Sequence, residues 1–302
     1  MNLIVSGSTG FVGKNLITYL EKSSLCTIPL TTDELSHGRL EKVGKCDAII
    51  HLAGKAHDLK STYTQDEYYQ VNTELTKRVF DAFLASEAKV FISISSVKAV
   101  ADEVDGALTE DHIPNPISHY GKSKLLAEQY ILLKEIPKGK RVIVLRPCMI
   151  HGPGNKGNLN LLYNLVAKSL PWPLGLFDNK RSFCSIENLC FVIKELLERE
   201  DIFSGVYNVA DDETLSTNDL IKLIAQSQNK SASIWNVSKS LINILAEIGY
   251  KLYLPLNSER LRKLTENYVV SNEKIKKALG KELPVSAKDG LIKTFESFSS
   301  HA

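Results

Sequence analysis

Between residues 2 and 146, short runs of β-branched and apolar residues alternate with amphipathic stretches at helical spacing, and no other feature restricts the fold so tightly. Residues 2–6 read as a strand, 11–22 as a helix and 25–30 as a second strand. Ala48-Ile49-Ile50-His51-Leu52 reads as a buried strand, and 66–86 as a helix with Val71, Leu75, Val79 and Ala82 on one face. Val90-Phe91-Ile92-Ser93-Ile94 is the next strand, 120–134 a helix and 141–146 another strand. Such alternation predicts an α/β fold, a doubly wound parallel sheet with helices on both faces. Sheets of that kind take ligands beyond the carboxyl ends of their strands.

After residue 151 the texture changes. His151-Gly152-Pro153-Gly154 and Pro171-Trp172-Pro173-Leu174-Gly175 are rich in turn formers. Helices are expected at 187–199, 217–227 and 239–251, and a strand at Val206-Tyr207-Asn208-Val209-Ala210. We therefore expect a sheet-forming domain over 1–151 and a smaller α/β domain over 152–302, with about 185–212 returning to the sheet. Ser238 to Leu254 is amphipathic; packing on a core is the ordinary reading of such a stretch, and membrane-surface contact the minority one.

Composition excludes several classes. A formal charge of +2 leaves no broad basic field for nucleic acid. The cysteines, Cys26, Cys46, Cys148, Cys184 and Cys190, are odd in number and form no Cys-x-x-Cys pair, so disulfides and a zinc site are not expected. The histidines show no metal-ligand spacing, and no metal is expected. No apolar run reaches the length of a membrane span. The chain enters Leu3-Ile4-Val5 at once, without the pattern of a signal peptide, and the expectation is a cytoplasmic protein.

The first strand runs into Gly7-Ser8-Thr9-Gly10-Phe11-Val12-Gly13 and then a helix. Glycines allow a tight turn and close approach of backbone to a pyrophosphate, and a helix N-terminus offers unpaired N–H groups to the anion. The spacing is Gly-x-x-Gly-x-x-Gly rather than Gly-x-Gly-x-x-Gly, yet its place at the first strand-to-helix junction predicts a dinucleotide site. An acid closing the second strand would select a free ribose 2′-hydroxyl. That strand ends Leu30-Thr31-Thr32, with Asp33 slightly beyond and His37 and Arg39 nearby. NAD and NADP both stay open, and the balance falls to NADP.

Tyr120-Gly121-Lys122-Ser123-Lys124 sets a phenol and an ammonium four residues apart, on one face of a helix. A free tyrosine titrates near pH ~10, and a close lysine cation is expected to lower that value toward a useful range. These five residues alone could equally be an ordinary helix start.

Taken together, these residues resemble the extended short-chain dehydrogenase/reductases, in the branch of NAD(P)-dependent nucleotide-sugar epimerases and dehydratases built on a Rossmann sheet. The resemblance is carried by the glycine turn, by His51-Leu52-Ala53-Gly54, Val71-Asn72-Thr73, Ile94-Ser95-Ser96, Tyr120 with Lys124, Arg146-Pro147, Gly152-Pro153-Gly154 and Arg181-Ser182-Phe183. It implies catalytic roles for Ser96, Tyr120, Lys124 and Asn72. It implies cofactor contacts from Gly7, Thr9, Gly10, Phe11, Val12, Gly13, Thr31, Leu52, Ala53, Gly54, Ser95, Pro147 and Met149, besides Tyr120 and Lys124 themselves. Substrate contacts are expected from Ser96, Lys98, Asn158, Arg181, Arg262 and Tyr268. For Asn158, capping of the next helix is the plain alternative. For Arg262, within Glu259-Arg260-Leu261-Arg262-Lys263, the plain alternative is a solvated charged face. The resemblance also implies a homodimer, paired through helices 66–86 and 120–134.

The chain departs from the family where Val97-Lys98-Ala99-Val100-Ala101 replaces the frequent Val-Tyr-Gly, and where His119 and His151 replace a proline and a tyrosine. Dehydratases of the family carry an Asp-Glu pair directly after the serine or threonine. Here Asp102-Glu103 lie six and seven residues downstream of Ser96. The pattern looks most like a bacterial sub-branch acting at carbon 4 of UDP-N-acetylhexosamines. The favoured expectation is a 4-reductase of UDP-4-keto-6-deoxy-N-acetylhexosamine in surface-polysaccharide sugar synthesis. A UDP-glucose or UDP-GlcNAc 4-epimerase with recycled NAD is the alternative, and a non-catalytic NADP-binding sensor or scaffold the remote one.

Overall fold

Strand β1 (Asn2–Ser6) lies at the centre of the first turn of the fold, between β2 (Cys26–Leu30) and β3 (Ala48–His51). Beyond β3 follow β4 (Val90–Ile94), and then, after a short strand β5 (Ala107–Leu108) outside this sheet, β6 (Arg141–Pro147). The computed structural model describes residues 1–38, 41–55, 64–155, 157–251 and 257–299. The six-stranded sheet has the order β2-β1-β3-β4-β6-β9, its last strand β9 (Gly205–Val209) pairing with β6, and all its pairings are parallel. Ile4, Ile49, Ile50, Ile92, Ile143, Val144 and Leu145 are wholly inaccessible to solvent. Burial on both faces is why these strands read as unbroken apolar runs instead of alternating ones. Pro29 sits in β2, at the sheet's edge, where its missing N–H costs no ladder bond.

Successive side chains of a strand go to opposite faces, and the two cores divide accordingly. Leu3, Val5, Ile50, Ile92 and Leu145 pack with helices α1 (Phe11–Leu20) and α7 (Ile186–Glu198), through Leu16, Leu20, Leu189 and Ile193. Ile4, Ile49, Phe91 and Val144 pack on the other side, against Val79, Phe80 and Phe83 of helix α4 (Leu75–Ala85) and Ile131 of α5 (His119–Leu133). Helices α2 (Thr32–Ser36) and α3 (Gln65–Tyr68) are short.

The stretch expected as one helix over 66–86 is α3, a π-helical turn at Tyr69–Glu74, and α4. A π turn accommodates an extra residue in a helix and recurs at functional sites. Here it buries Asn72 and Thr73, and Thr73 Oγ1 donates to Ser123 O of α5 at 2.7 Å.

The second half builds its own core. Helices α6 (Asn158–Ala167), α8 (Thr217–Ser227) and α12 (Ala287–Ser299) enclose Trp172, Leu174 and Phe183, with Ile242 and Ala246 of α9 (Lys239–Lys251) and Leu261 of α10 (Ser258–Thr265). Strands β7 (Met149–His151), β8 (Arg181–Ser185) and β10 (Thr214–Leu215) form a small mixed sheet, and β11 (Val269–Val270) pairs with β5. Helix α11 (Glu273–Leu279) ends in Gly280, whose φ of +56° is the left-handed cap that glycine adopts readily.

Candidate active site

The sheet order turns back at β1 and β3, and the glycine turn leaves β1 at that crevice. Gly7 has φ +69°, and a Cβ there would lie 2.7 Å from the amide nitrogen of Ala53. A Cβ on Gly13 would come within 2.3 Å of Gly7 O. Both positions therefore exclude any side chain, and the turn folds tightly onto the start of α1. Gly10 is the N-cap of α1 and makes no side-chain cap, so no side chain takes the first-turn amides that an anion would bind. Thr9, Gly10, Phe11, Val12 and Gly13 line a cleft of about 1650 Å³, with Leu52 and Gly54 from the end of β3 also on its wall. This bare helix end suits a pyrophosphate.

Ala53 N donates to Ser6 Oγ at 3.2 Å, which fixes the β3 end beside the turn. The same hydroxyl meets His51 Nδ1 at 2.8 Å, and His51 Nε2 meets Thr76 Oγ1 at 3.0 Å. Burial pushes the His51 pKa down to about 3, with the Lys124 cation adding to the effect, so His51 is a neutral structural link.

Ser96, Tyr120 and Lys124 come together on the opposite lip. Ser96 ends β4 and caps the short 3-10 turn Val97–Ala99, its hydroxyl accepting from Lys98 N at 3.2 Å. That hydroxyl is also hydrogen-bonded to the Tyr120 phenol. Ser96 and Tyr120 both line the cleft. Lys124, one helical turn after Tyr120, is buried and donates from Nζ to Ile94 O at 2.9 Å. A Cβ on Gly54 would lie 3.0 Å from both Lys124 Nζ and Asn72 Oδ1, so these two groups converge behind the Gly54 wall of the cleft. Asn72 is held on three sides: Oδ1 accepts from Lys55 N at 2.8 Å, and Nδ2 donates to Lys55 O at 3.1 Å and to Ser123 Oγ at 3.0 Å. The Tyr68 ring meets Tyr120 edge-on at 6.1 Å.

The lysine does not lower the phenol's pKa here. Burial raises the Tyr120 pKa, and the Ser96 hydrogen bond offsets that only in part. The Lys124 pKa falls to about 8 because its ammonium is stripped of water, with Glu128 opposing. Desolvation acts against the charged form of both groups.

Toward the second half, Lys98, Cys148, Met149, Asn158, Arg181 and Tyr268 line the same cleft. Lys98 Nζ stands 4.1 Å from the Tyr268 ring centre and donates to Asp102 O at 2.7 Å. Tyr268 OH donates to Ala101 O at 2.7 Å. Arg181 bridges Tyr268 in backbone register, and its guanidinium bonds Lys263 O with Glu266 at 4.0 Å. Asn158 is the first residue of α6; the N-cap is Gly157, so Asn158 is not the cap.

Other expected residues stand elsewhere. Arg262 pairs with Glu103 on an exposed face and is absent from the cleft lining. Thr31 caps α2 in a reciprocal box with Glu34, whose carboxylate also meets Lys42 at 2.6 Å. Asp33 pairs with His37 at 3.1 Å, and Arg39 lies outside the described residues. Ala53 and Pro147 adjoin the cleft through their neighbours Leu52, Gly54 and Cys148. Ser95 Oγ is buried with no hydrogen-bond partner among the described residues.

The scaffold roles of the Glu128–Arg146 pair and of Asp102 were not read from the sequence. Glu128 and Arg146 form a buried bidentate pair at 2.6 to 3.1 Å, which ties α5 to β6. Glu128 follows Lys124 by four residues, and that spacing was the available signal. Asp102 accepts from Ile117 N at 2.7 Å and from Ser118 N and Oγ at 3.1 Å, fixing the start of α5. Its carboxylate is thereby committed to the scaffold.

The profile of the NAD dependent epimerase/dehydratase family matches residues 3–210. The chain is 30% identical to UDP-glucose 4-epimerase of Vibrio cholerae, over 98% of this chain and 95% of that protein. It is also 30% identical to GDP-6-deoxy-D-mannose reductase of Pseudomonas aeruginosa, over 74% of this chain and 79% of that one. The solved structure of UDP-N-acetylglucosamine 4-epimerase from Bacillus cereus matches with a TM-score of 0.78 at 18% identity, covering 99% of each chain, a likeness of fold.

Proposed function

The chain belongs to the NAD dependent epimerase/dehydratase family, and on that premise we propose that it is an NAD(P)-dependent oxidoreductase working at carbon 4 of a UDP-sugar. The observation that carries this reading is the Ser96 hydroxyl bonded to the Tyr120 phenol at the mouth of the cleft, with Lys124 buried one turn behind. The nicotinamide, when bound, supplies or accepts the hydride. Tyr120 hands a proton to the carbon-4 oxygen, or takes it back in the reverse direction. Ser96 holds that oxygen by hydrogen bond. Lys124, one helical turn from Tyr120, would hold the nicotinamide ribose by hydrogen bond. Asn72 keeps the Lys55 backbone and Ser123 in register beneath Lys124. Arg181, Asn158, Lys98 and Tyr268 take the diphosphate and sugar; we give Arg262 no part, because Glu103 occupies it.

Within this class the favoured reaction is reduction of a UDP-4-keto-6-deoxy-N-acetylhexosamine. The likeness to a 6-deoxy-sugar reductase supports it. So does the commitment of Asp102 to the start of α5, which leaves it unavailable as the acid of a dehydratase. NADP is the favoured cofactor, since Asp33 and Glu34, the acids nearest the end of β2, are engaged by His37, Thr31 and Lys42. A 4-epimerase is the second reading, supported by 30% identity to one over nearly the whole chain. Exposed Leu126, Leu132 and Leu133 on α5 support a dimer through α4 and α5. Incubation with the 4-keto sugar and NADPH should consume cofactor in proportion to sugar. Interconversion of UDP-GlcNAc and its 4-epimer without added cofactor would establish the epimerase instead, and inactivity in both assays with either cofactor would reject the proposal.

A further inference from the structure

The turn that follows β4 serves two members of the site at once. Ser96 opens it, and its far end fixes the start of α5, where Tyr120 sits. Asp102 makes the second connection through its carboxylate, which accepts from Ile117 N and Ser118 N at 2.7 and 3.1 Å. Ser118 Oγ donates to the same carboxylate at 3.1 Å and, as the N-cap of α5, accepts from Gly121 N at 3.2 Å. The backbone of the turn also bears on the helix directly. A Cβ on Gly121 would lie 2.3 Å from Lys98 O, so α5 rests on the turn, one residue after Tyr120, with no room for a side chain between them.

The second half of the chain holds this turn through Tyr268. Its hydroxyl donates to Ala101 O at 2.7 Å. Its ring centre lies 4.1 Å from Lys98 Nζ, which in turn donates to Asp102 O at 2.7 Å. Tyr268 is itself locked to the strand that carries Arg181: Tyr268 N donates to Lys180 O at 2.8 Å, and Ser182 N donates to Tyr268 O at 2.9 Å. Tyr268 is buried, so its hydrogen bond and its contact with the Lys98 cation count for more than they would in water. The pair of Arg262 with Glu103 meets the same turn from the second half, but it is exposed and contributes little.

We infer that Tyr268 is a positioning residue: it seats the turn over 97–103 and, through Asp102 and Gly121, sets the Tyr120 phenol against Ser96. This role presupposes the proton transfer proposed for Tyr120. A residue that only walls the sugar site acts on KM, whereas one that sets the reacting groups acts on kcat. Tyr268→Phe keeps the ring beside Lys98 and removes only the bond to Ala101 O. In this variant, amide exchange at Ile117 and Ser118 should quicken about tenfold, a readout that needs no substrate. On whichever of the 4-keto sugar or UDP-GlcNAc the wild type turns over, kcat should fall about tenfold, with KM for the sugar changed less than about twofold. Asp102→Ala should lower kcat further, and adding Tyr268→Phe to it should cost nothing more, because both act by one route. Unchanged exchange at Ile117 and Ser118 overturns the inference, as does a rise in KM at constant kcat or an additive loss in the double variant. A wild type inert on both sugars would defeat the proposed reaction instead, and the exchange measurement would still decide whether Tyr268 sets the start of α5.

Discussion

Lys124 is a buried ammonium, and its cost to the protein can be measured. Its pKa in the fold is about 8 against an ordinary 10.5. Below pH 8 both folded and unfolded chains carry the proton, and the folded state bears the full penalty, on the order of 3 kcal/mol. Between these values only the unfolded chain keeps the proton, so stability rises with pH across that window. Replacing Lys124 by Met removes the penalty and forfeits the bond to Ile94 O. We expect Lys124→Met to raise the melting temperature of the cofactor-free protein by about 2 °C at pH 7. That gain should disappear above pH 10.5, while turnover is lost at every pH. A lower melting temperature at pH 7 would show that the hydrogen bond outweighs desolvation. Tyr120 and Lys124 were legible as a pair from their spacing; the direction of the phenol's shift was not, because it depends on how completely α5 is buried.

Helix α5 explains why part of the site escaped a reading of patterns. Its buried face carries Gly121, Ser123, Lys124, Ala127, Glu128 and Ile131, a mixture with no apolar stripe to detect. What seats this face is the ion pair of Glu128 with Arg146, together with the bonds from Asp102 to the helix start. Breaking one side of a buried pair leaves an unpaired charge and typically costs about 3–5 kcal/mol. Glu128→Leu should therefore destabilise strongly, and adding Arg146→Met should recover much of the loss. Denaturant titrations of the single and double variants measure the coupling; additive losses would mean that the pair does not act as a clamp. Strands β1, β3, β4 and β6 were legible because burial on both faces demands unbroken apolar runs. The π turn at Tyr69–Glu74 was not, since an extra residue in a helix leaves the sequence pattern almost unchanged.

At the scale of the molecule, the parallel sheet supplies the rim and the second half supplies the opposite wall. Helix α12 returns from the chain's last stretch to join them. Thr294 Oγ1 meets the buried His151 Nδ1 at 2.9 Å, and His151 Nε2 lies 3.3 Å from Asp211, which also accepts from Ser185 N and Asn188 Nδ2. No local motif announces contacts across 143 and 60 residues of chain, so this link was legible only in three dimensions. The glycine turn was legible because its tightness admits no side chain at Gly7 or Gly13. The whole arrangement serves one claim, that Tyr120 exchanges a proton with a sugar oxygen held at the cleft. Single-turnover oxidation of reduced nicotinamide by Tyr120→Phe, beside its cofactor affinity, tests that most directly. The expected result is a rate loss of about 10²–10⁴-fold with cofactor affinity changed less than about threefold. Undiminished hydride transfer in the phenylalanine variant would contradict it.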